Sequence, residues 1–306
     1  MERLRVVEQI DSSSDFEGLL YNLPAFQEIN NDLPQKHFYL IQGHRVYGHI
    51  AFEFEEGVAH SHIRAPFGGF SVNQDLSSED LLFFIIEVER RLKTLSISEI
   101  KIDQAPESMS SKDMASCLRL LGYKVSGERV YQMLEISESS FESRLHDMEK
   151  RKLKKAGELG LSVEWASDGN FKKLHDFIVE QRNEKGFEFS MTWPLLQDFK
   201  KALPDHYFGI MIKHERRIIA GALLIKENAD SLYNFAPAHL VKYNRYSPVV
   251  LMTEAIHHWA KQNGFKYLNL GTSYLGDISN ESLYSFKEKL GAKPFSAFTF
   301  QKVLNS

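Results

Sequence analysis

The sequence predicts an α/β protein of two similar domains in tandem, each with a mixed, mostly antiparallel sheet flanked by helices. Both halves of the 306-residue chain carry the same elements in the same order: a strand meander, a helix, a strand, a second helix and a closing strand. Short markers recur in step, such as Ile63–Pro66 (IRAP) and Asn234–Pro237 (NFAP). A shared order of elements indicates an internal duplication, and this alternation is typical of the α/β class.

In the first half, alternating apolar and polar residues between His37 and Pro66 predict a meander of about three strands. Ser77 or Ser78 is the expected N-cap of a helix with acidic residues in its first turn. The segment EIKIDQ then predicts a strand, SSKDMASCLRLLGY a helix that ends at Gly122, and VYQMLEI a closing strand.

The second half repeats this order. Residues 207–237 predict a second meander, with turns at HERR and ENAD. A helix follows, for which Ser247 is the expected N-cap, Pro248 the first residue and Gly264 the terminator. KYLNLG predicts a strand, SLYSFKEKLG a helix and FSAFTFQKV a closing strand.

The domain boundary is expected near residue 137, so that residues 1–137 form the first domain and residues 138–306 the second. After a polar linker, a basic helix is expected at Met148–Leu159. A helix at Asn170–Lys185 and the helical segment SMTWPLLQDFKKAL precede the second meander. The second domain is expected to carry the main cleft.

The composition is that of an ordinary soluble globular protein, with 43% hydrophobic and 25% charged residues. A net charge of −4 gives no global electrostatic attraction to nucleic acid. We expect no signal peptide, no membrane span and a cytoplasmic location. The single cysteine, Cys117, excludes an internal disulfide and is expected to be a small core residue.

The C-terminal motifs resemble a known family. Ala255-Ile256 with Trp259-Ala260 and Gly264, then Asn269-Leu270-Gly271, then Phe286-Lys287 with Gly291, are similar to the second domain of the Fem aminoacyltransferases. The broader relatives are FemAB-like or BioF2-like acetyltransferases with two tandem GNAT-fold domains. In the first half, IRAPFGGF and IKIDQAP resemble the family's Arg-Gly-Pro and KIDP strand ends, with Ala65 and Gln104 as departures.

This resemblance implies a transfer of an acyl or aminoacyl group onto an amine acceptor, such as a cell-wall or polysaccharide precursor. It implies no tightly bound cofactor, and acyl-CoA or aminoacyl-tRNA as the co-substrate. One feature of typical GNAT domains is absent, because the stretch VKYNRYSP replaces their glycine-rich loop for acyl-CoA. A backbone without glycine approaches a pyrophosphate less closely.

Lys287 is the first candidate for catalysis. At 100° per residue, it lies about 40° from Leu283, at the border of the apolar stripe of its helix. Snorkelling from the edge of the core is the plain interpretation. In the family this lysine is thought to stabilise charge at the acyl-transfer centre, which is the role of a cation near an oxyanion.

Two residues of the first domain are candidates for handling the acceptor. Asp103 ends a strand, where it is either a turn residue or a carboxylate that orients or deprotonates the amine. Arg64 is either a solvated strand end or a planar fork for a phosphate or carboxylate of the acceptor. Gly68 and Gly69 fit a loop that lets a ligand approach.

Further candidates surround the helix that begins at Pro248. Lys242 and Arg245 are expected to hold donor phosphates with their side chains, and Ser247 begins a helix with a positive dipole end. Five tyrosines belong to this region, and most are expected to pack. The candidates for substrate contact are Tyr243, Tyr246 and Tyr284.

Other functions have weaker support. The basic run Lys150, Arg151, Lys152, Lys154 and Lys155 is either a solvated helix face or a surface for tRNA phosphates. His60 and His62 share a strand face without a nearby acid or cysteine, so no metal site is predicted.

Two alternatives to the main interpretation stay open. One is acetyl transfer from acetyl-CoA to an amino sugar or another small amine. The other is a binding module without catalysis, which the missing glycine loop favours. The sequence predicts neither the acceptor nor the oligomeric state.

Overall fold

The computed structural model of the chain describes residues 3–10, 16–30, 33–275 and 278–304. The chain divides into two compact units. The first comprises Met1–Val130 together with Phe295–Ser306, and the second comprises Tyr131–Pro294.

The first unit is built from strands and three helices. The strands are β1 (Arg5–Val7), β2 (Gln35–Gln42), β3 (Arg45–Glu55), β4 (Val58–His60), β5 (Ser71–Val72), β6 (Glu99–Asp103) and β7 (Lys124–Glu135), the last of which continues into the second unit. The helices in its described part are α1 (Pro24–Asn30), α2 (Ser78–Thr94) and α3 (Met114–Leu120).

The second unit has short and long strands and a larger set of helices. The strands are β8 (Leu161–Trp165), β9 (Tyr207–His214), β10 (Arg217–Lys226), β11 (Ser231–Asn234), β12 (Ala238–His239), β13 (Tyr267–Thr272), β14 (Tyr274–Leu275) and β15 (Ile278–Ser279). The helices are α4 (Phe141–Arg144), α5 (Asp147–Glu158), α6 (Phe171–Asn183), α7 (Trp193–Ala202), α8 (Pro248–Gln262) and α9 (Glu281–Lys289). The last strand of the chain, β16 (Lys293–Val303), returns to the first unit.

Each unit has a mostly antiparallel sheet with one parallel pair in its described part. In the first unit the strand order is β1-β2-β3-β4-β6-β16, and β4 and β6 are parallel. In the second unit the end of β7 leads the order β7-β13-β11-β10-β9-β8, and β11 and β13 are parallel. The predicted α/β class, with mixed, mostly antiparallel sheets flanked by helices, is confirmed.

Each unit has its own apolar core. In the first unit, α2 and α3 bury residues such as Phe84 and Leu118 against the sheet, and Cys117 belongs to this core with 4% of its surface exposed. In the second unit, α8 buries Met252 and Ile256 against residues of β9, β10 and β13. The apolar stripes that predicted these helices are therefore the faces that hold the units together.

The described closing strands differ from the expected domain organisation. Tyr131–Glu135 of β7 pairs with β13 of the second unit, and Thr299–Val303 of β16 pairs with β6 of the first unit. The units divide between Val130 and Tyr131, whereas the sequence placed the boundary near residue 137 and assigned the whole C-terminus to the second domain. The residue pattern predicts a strand, but the pattern does not specify the neighbour with which that strand pairs.

Candidate active site

The candidate site of the second unit lies where its two parallel strands separate. Their paired register runs from Ser231 opposite Tyr267 to Tyr233 opposite Asn269. After β11 the chain turns towards β10, because the amides of Phe235 and Ala236 donate to the Leu223 carbonyl over 3.0 and 3.3 Å. Beyond Asn269, β13 continues its pairing with β7 after a register shift. The strand ends therefore diverge, and ligands of open α/β sheets bind at such carboxyl ends.

A cavity of about 940 Å³ occupies this opening. We call it the strand-end cavity. Its walls come from the end of α6, the ends of β11 and β13, the start of α8, and α9. Much of the lining is apolar, including Phe235, Val250, Leu270 and Phe286. A concave, largely apolar space with a few polar groups is typical of a small-molecule site.

Lys287 is the buried residue of α9. Only 6% of its surface is exposed, whereas Leu283 on the same helix is 37% exposed. Its Nζ donates to the carbonyl of Gly271 over 3.0 Å and to that of Thr272 over 2.7 Å. An ammonium has three N–H donors, so one remains for a ligand in the cavity that Lys287 lines. The side chain is therefore held at the end of β13 and does not extend into solvent.

The ammonium of Lys287 has no carboxylate partner among the described residues. Burial lowers its pKa from 10.5 to about 8, because a low-dielectric environment disfavours the charged form. At pH 7 the group is still mostly protonated, and a proton can leave it more easily than from an exposed lysine. Such a group can stabilise negative charge that develops on a carbonyl oxygen.

Further cations line the strand-end cavity. Arg182 at the end of α6 and Lys185 just beyond it make no salt bridge with a residue that the structure describes, whereas Lys152 of α5 is paired with Glu149 at 2.7 Å. The described lining contains no aspartate or glutamate. The walls therefore carry a positive potential, which favours an anionic ligand.

Buried polar side chains also reach the cavity wall. Gln181 and Asn234 are 3% and 6% exposed, and the Nε2 of Gln181 and the Oδ1 of Asn234 have no hydrogen-bond partner among the described residues. Tyr233 lies beside them, and burial raises the pKa of its phenol, so it is protonated at neutral pH. Unsatisfied buried polar atoms are costly, and a ligand with complementary groups would relieve that cost.

The start of α8 differs from its expected form. As predicted, α8 begins at Pro248, directly after Ser247. Ser247 lines the cavity, but its side chain makes no capping hydrogen bond. Its φ of +51° is in the left-handed region. The turn before it, Val241–Tyr246, is a 3-10 helix. A tight helical turn thus replaces the missing glycine loop, and Ser247 takes the strained position where the chain enters α8.

The other candidates of the second unit lie outside the described lining of the cavity. Lys242 and Arg245 lie over the rings of Tyr243 and Tyr246 at 5.7 and 4.7 Å, and Arg245 also donates to the Tyr246 hydroxyl over 2.7 Å. Tyr243 and Tyr246 both contact the ring of His214. Their binding roles stay predictions.

Tyr284 is likewise outside the described lining, and its backbone carbonyl accepts a hydrogen bond from the buried Gln132 over 3.0 Å. The tyrosines that do line the cavity are Tyr233 and Tyr274. Tyr233 is on β11 and Tyr274 follows β13, so each is at an end of the diverging strands.

The candidates of the first unit lie near the end of β6. Asp103 is half-buried, and its Oδ1 accepts from the Thr299 hydroxyl over 2.5 Å. Arg64 is exposed and contacts the backbone carbonyl of Asn30 at 3.5 Å. Gly69 has a φ of +81°, and a Cβ there would lie 2.4 Å from the Oε1 of Gln104. The space that this glycine leaves is therefore filled by Gln104, and the expectation that a ligand approaches the loop of Gly68 and Gly69 stays a prediction.

Sequence reasoning missed Arg182, Lys185, Gln181 and Asn234. Gln181 and Arg182 lie in α6, a helix that precedes the second meander and to which the sequence assigns no function. Their spacing matches no functional motif. Asn234 belongs to NFAP, which had served only as a marker of the internal repeat.

The described residues contain no group of three or more His, Cys, Asp or Glu side chains that could hold a metal ion. Among the same residues, no helix combines the length and the apolar character that crossing a bilayer requires.

Residues 145–287 match the family model described as "Acetyltransferase (GNAT) domain". This segment contains the strand-end cavity apart from Leu290. No curated protein matches the sequence.

Solved structures resemble the chain over most of its length. FemX has a TM-score of 0.75 at 15% identity, over 94% of this chain and 93% of FemX. L-PGS from Bacillus licheniformis has a TM-score of 0.58 at 15% identity, over 89% and 85%. A tandem GNAT protein from the clavulanic acid biosynthesis pathway has a TM-score of 0.53 at 9% identity, over 99% of both chains.

At these identities the similarity concerns the fold. The chain therefore has the two-domain GNAT-like fold that its sequence predicted, and residues 145–287 match the acetyltransferase (GNAT) domain within it.

Proposed function

We propose that this protein is an N-acyltransferase whose acyl donor, a phosphate-bearing thioester of the acyl-CoA type, binds in the strand-end cavity. One observation carries the proposal: the cavity opens between parallel strand ends, and its described lining holds Arg182, Lys185 and Lys287 with no carboxylate. Phosphate groups are the natural partners of such cations. The GNAT family match and the structural neighbours support acyl transfer as the reaction class.

The same charges favour an acyl group over an aminoacyl group. An aminoacyl ester carries an α-ammonium at neutral pH. The described lining offers it no carboxylate, and the ammonium of Lys287 would repel it. A neutral acyl group beside Phe235, Leu270 and Phe286 meets no such cost. An aminoacyl-tRNA donor stays the second candidate, since Arg151, Lys154 and Lys155 of α5 expose charges that could meet RNA phosphates.

In the proposed reaction the acceptor amine attacks the thioester carbonyl. A C–N bond forms, the C–S bond breaks, the thiol leaves and the amine loses one proton. Negative charge develops on the carbonyl oxygen in the transition state. The remaining N–H of Lys287 stabilises that charge, because its other two donors are already fixed on Gly271 and Thr272. Fixed donors need no reorganisation when the reaction occurs.

The acceptor stays a prediction. Asp103 and Arg64 are the candidates for orienting the amine and for holding an anionic group of the acceptor. The FemAB-like resemblance favours a cell-wall or polysaccharide precursor, and an amino sugar is the smaller alternative.

Binding of CoA and acetyl-CoA tests the donor assignment, by thermal shift and calorimetry. We expect both ligands to raise the melting temperature of the wild type. The double variant Arg182→Ala/Lys185→Ala should weaken binding by about a hundredfold or more, since each phosphate contact to a charged group is worth about 1.5–3 kcal/mol and a tenfold loss corresponds to about 1.4 kcal/mol. Lys173→Ala is the matched control, because Lys173 is exposed on the same helix and does not line the cavity. It should change the affinity less than about twofold.

The alternatives predict other results. If CoA and acetyl-CoA bind no better than adenosine while an aminoacyl-tRNA binds, the donor assignment is wrong. If CoA binds but acetyl-CoA releases no thiol with any of a panel of amines and amino sugars, a binding module without catalysis is favoured.

A further inference from the structure

Glu227 is a fully buried carboxylate beside the candidate active site. It directly follows β10, and none of its surface is exposed. Its Oε2 accepts a hydrogen bond from the Ser231 hydroxyl over 2.8 Å. The Nδ2 of Asn269, which is also fully buried, lies 3.2 and 3.1 Å from its two carboxylate oxygens. Burying a carboxylate is costly, so its position calls for an explanation.

The turn between β10 and β11 also has hydrogen bonds that do not involve the carboxyl group of Glu227. The Oδ1 of Asn228 already accepts from the amides of Asp230 and Ser231 over 2.9 and 2.8 Å, which closes the turn locally. The side chain of Glu227 instead points across β11 to Asn269 of β13. Its carboxyl group therefore contacts both Ser231 at the start of β11 and Asn269 within β13.

The carboxylate fixes the orientation of the Asn269 amide. The Nδ2 of Asn269 faces both carboxyl oxygens of Glu227, so the amide turns its NH₂ towards Glu227 and its Oδ1 away from it. That Oδ1 accepts from the amide of Gly271 over 2.8 Å. An amide flipped by 180° would present NH₂ to the Gly271 N–H, and this hydrogen bond would be lost.

Gly271 passes the constraint to Lys287. Its φ of +74° is strained for other residues, and a Cβ there would lie 3.1 Å from the Tyr233 hydroxyl. With its N–H fixed by Asn269, the carbonyl of Gly271 points to the Nζ of Lys287 at 3.0 Å. Hydrogen bonds and the backbone of Gly271 thus connect the buried carboxylate to the ammonium.

We propose that Glu227 and Asn269 are positioning residues, which fix the peptide of Gly271 and thereby hold the ammonium of Lys287 in place for acyl transfer. The proposal rests on the proposed function of Lys287. The positioning itself can be measured without a substrate, so its failure is distinguishable from a failure of that function.

Hydrogen exchange of the Gly271 amide is the first test. In Asn269→Leu, which keeps a similar volume but removes the acceptor, we expect exchange at Gly271 at least tenfold faster than in the wild type. In Glu227→Gln we expect a smaller increase, about threefold or more, because the Asn269 amide becomes free to flip. Ser231→Ala is the matched control: it removes another hydrogen bond to Glu227 and leaves Asn269 bonded, so Gly271 should change less than twofold.

The amide of Leu232, which lies in the neighbouring core strand β11, reports global opening. An unchanged Gly271 rate in both Asn269→Leu and Glu227→Gln would overturn the proposal. An equal acceleration at Gly271 and Leu232 would overturn it too, because the effect would then be a general loss of stability.

The second test follows Lys287 itself by competitive acetylation and peptide mass spectrometry over a range of pH. In the wild type the reactivity of Lys287 should titrate with a midpoint of about 8. In Asn269→Leu the midpoint should rise by half a unit or more, since a loosened strand end admits water to the ammonium. Lys289, on the same helix, is the internal reference. A midpoint within 0.2 units of the wild type would overturn the proposal, whether or not CoA binds.

Discussion

The parallel strand pairs of the two units have the same topology, but different side chains occupy the space at their strand ends. In the first unit β4 and β6 are parallel, and in the second β11 and β13 are parallel. In both, the second strand of the pair follows a long helix. The two pairs therefore occupy corresponding places in the order of elements, and their strand ends differ.

In the first unit the Gln104 side chain connects the end of β6 to the loop that follows β4. Gln104 follows β6 and is 4% exposed. It accepts from the amide of Phe70 and donates to the Phe70 carbonyl, both over 2.9 Å, and Gly68 forms a parallel bridge with it. Gly69 makes room for Gln104, because a Cβ at this position would lie 2.4 Å from its Oε1.

In the second unit the corresponding end stays open. Asn269 turns its amide to its own strand and to Glu227, and Gly271 makes room for Tyr233. The strand-end cavity forms there, with Lys287 on its wall. Each unit thus has a place where two parallel strands end, and individual side chains decide whether that place is filled or open to a ligand.

The largest expected effect is on the rate of acyl transfer, at the open strand end of the second unit. Lys287→Met should lower the rate of acyl transfer about 100- to 1000-fold, which is the usual loss when one oxyanion donor is removed. The measurement is release of the CoA thiol with an acceptor amine. Lys289→Met on the same helix should keep at least half of the wild-type rate. An unaltered rate in Lys287→Met would contradict the role assigned to this lysine.

The filled end should be sensitive to steric change. Gly69→Ala should lower the free energy of unfolding by about 3 kcal/mol, because its Cβ would lie 2.4 Å from the Gln104 Oε1 and 3.0 Å from its Cα at a φ of +81°. Gly122→Ala separates the two causes, since its φ is +86° but no atom lies within 4 Å of the added Cβ. It should cost only about 1 kcal/mol in denaturant unfolding. Equal losses in both variants would mean that contact with Gln104 is unimportant.

Removing the Gln104 side chain, which fills the strand end of the first unit, should lower stability without changing the affinity for the acyl donor. Gln104→Ala should cost about 2 kcal/mol, because the amide and carbonyl of Phe70 lose buried partners. CoA affinity should stay within about twofold of the wild type, since the strand-end cavity belongs to the second unit. A large loss of CoA affinity in a folded Gln104→Ala protein would contradict the independence of the two strand ends.

The smallest effect is a pH dependence of stability at the open end. The pKa of Lys287 is about 8 in the folded chain and 10.5 ordinarily, so between these values the unfolded chain binds more protons. Stability should therefore rise with pH in this window, by about 1.3 kcal/mol between pH 7 and pH 9 for this group. Comparison with Lys287→Met removes the contributions of other groups. Parallel stability curves for the two proteins would show that the lysine is not desolvated.

The sequence was informative where local patterns dominate. Ser77 or Ser78 was expected to cap a helix, and it is the hydroxyl of Ser77 that accepts from the amide of Asp80 over 3.2 Å. The basic helix expected at Met148–Leu159 is α5, Asp147–Glu158. Periodicity and caps describe neighbours along the chain, so they predict such elements well.

The candidate site was only partly predictable. The last helix and its family motif indicated Lys287, yet its helical position alone favoured the edge of the core. The carbonyls of Gly271 and Thr272 that hold it, and the cations of α6 around the cavity, come from other elements. No periodicity within one helix reports on groups that a different element brings near.

By itself, the sequence determined the order of helices and strands, its repetition in the two halves and the identity of one buried lysine as a candidate. Only the tertiary structure decided that β16 returns to the first unit, that Gln104 fills one strand end and that the other stays open. The physical reason is that element formation depends on contacts a few residues apart. Strand pairing and the shape of a cavity depend instead on side chains that lie far apart in the chain.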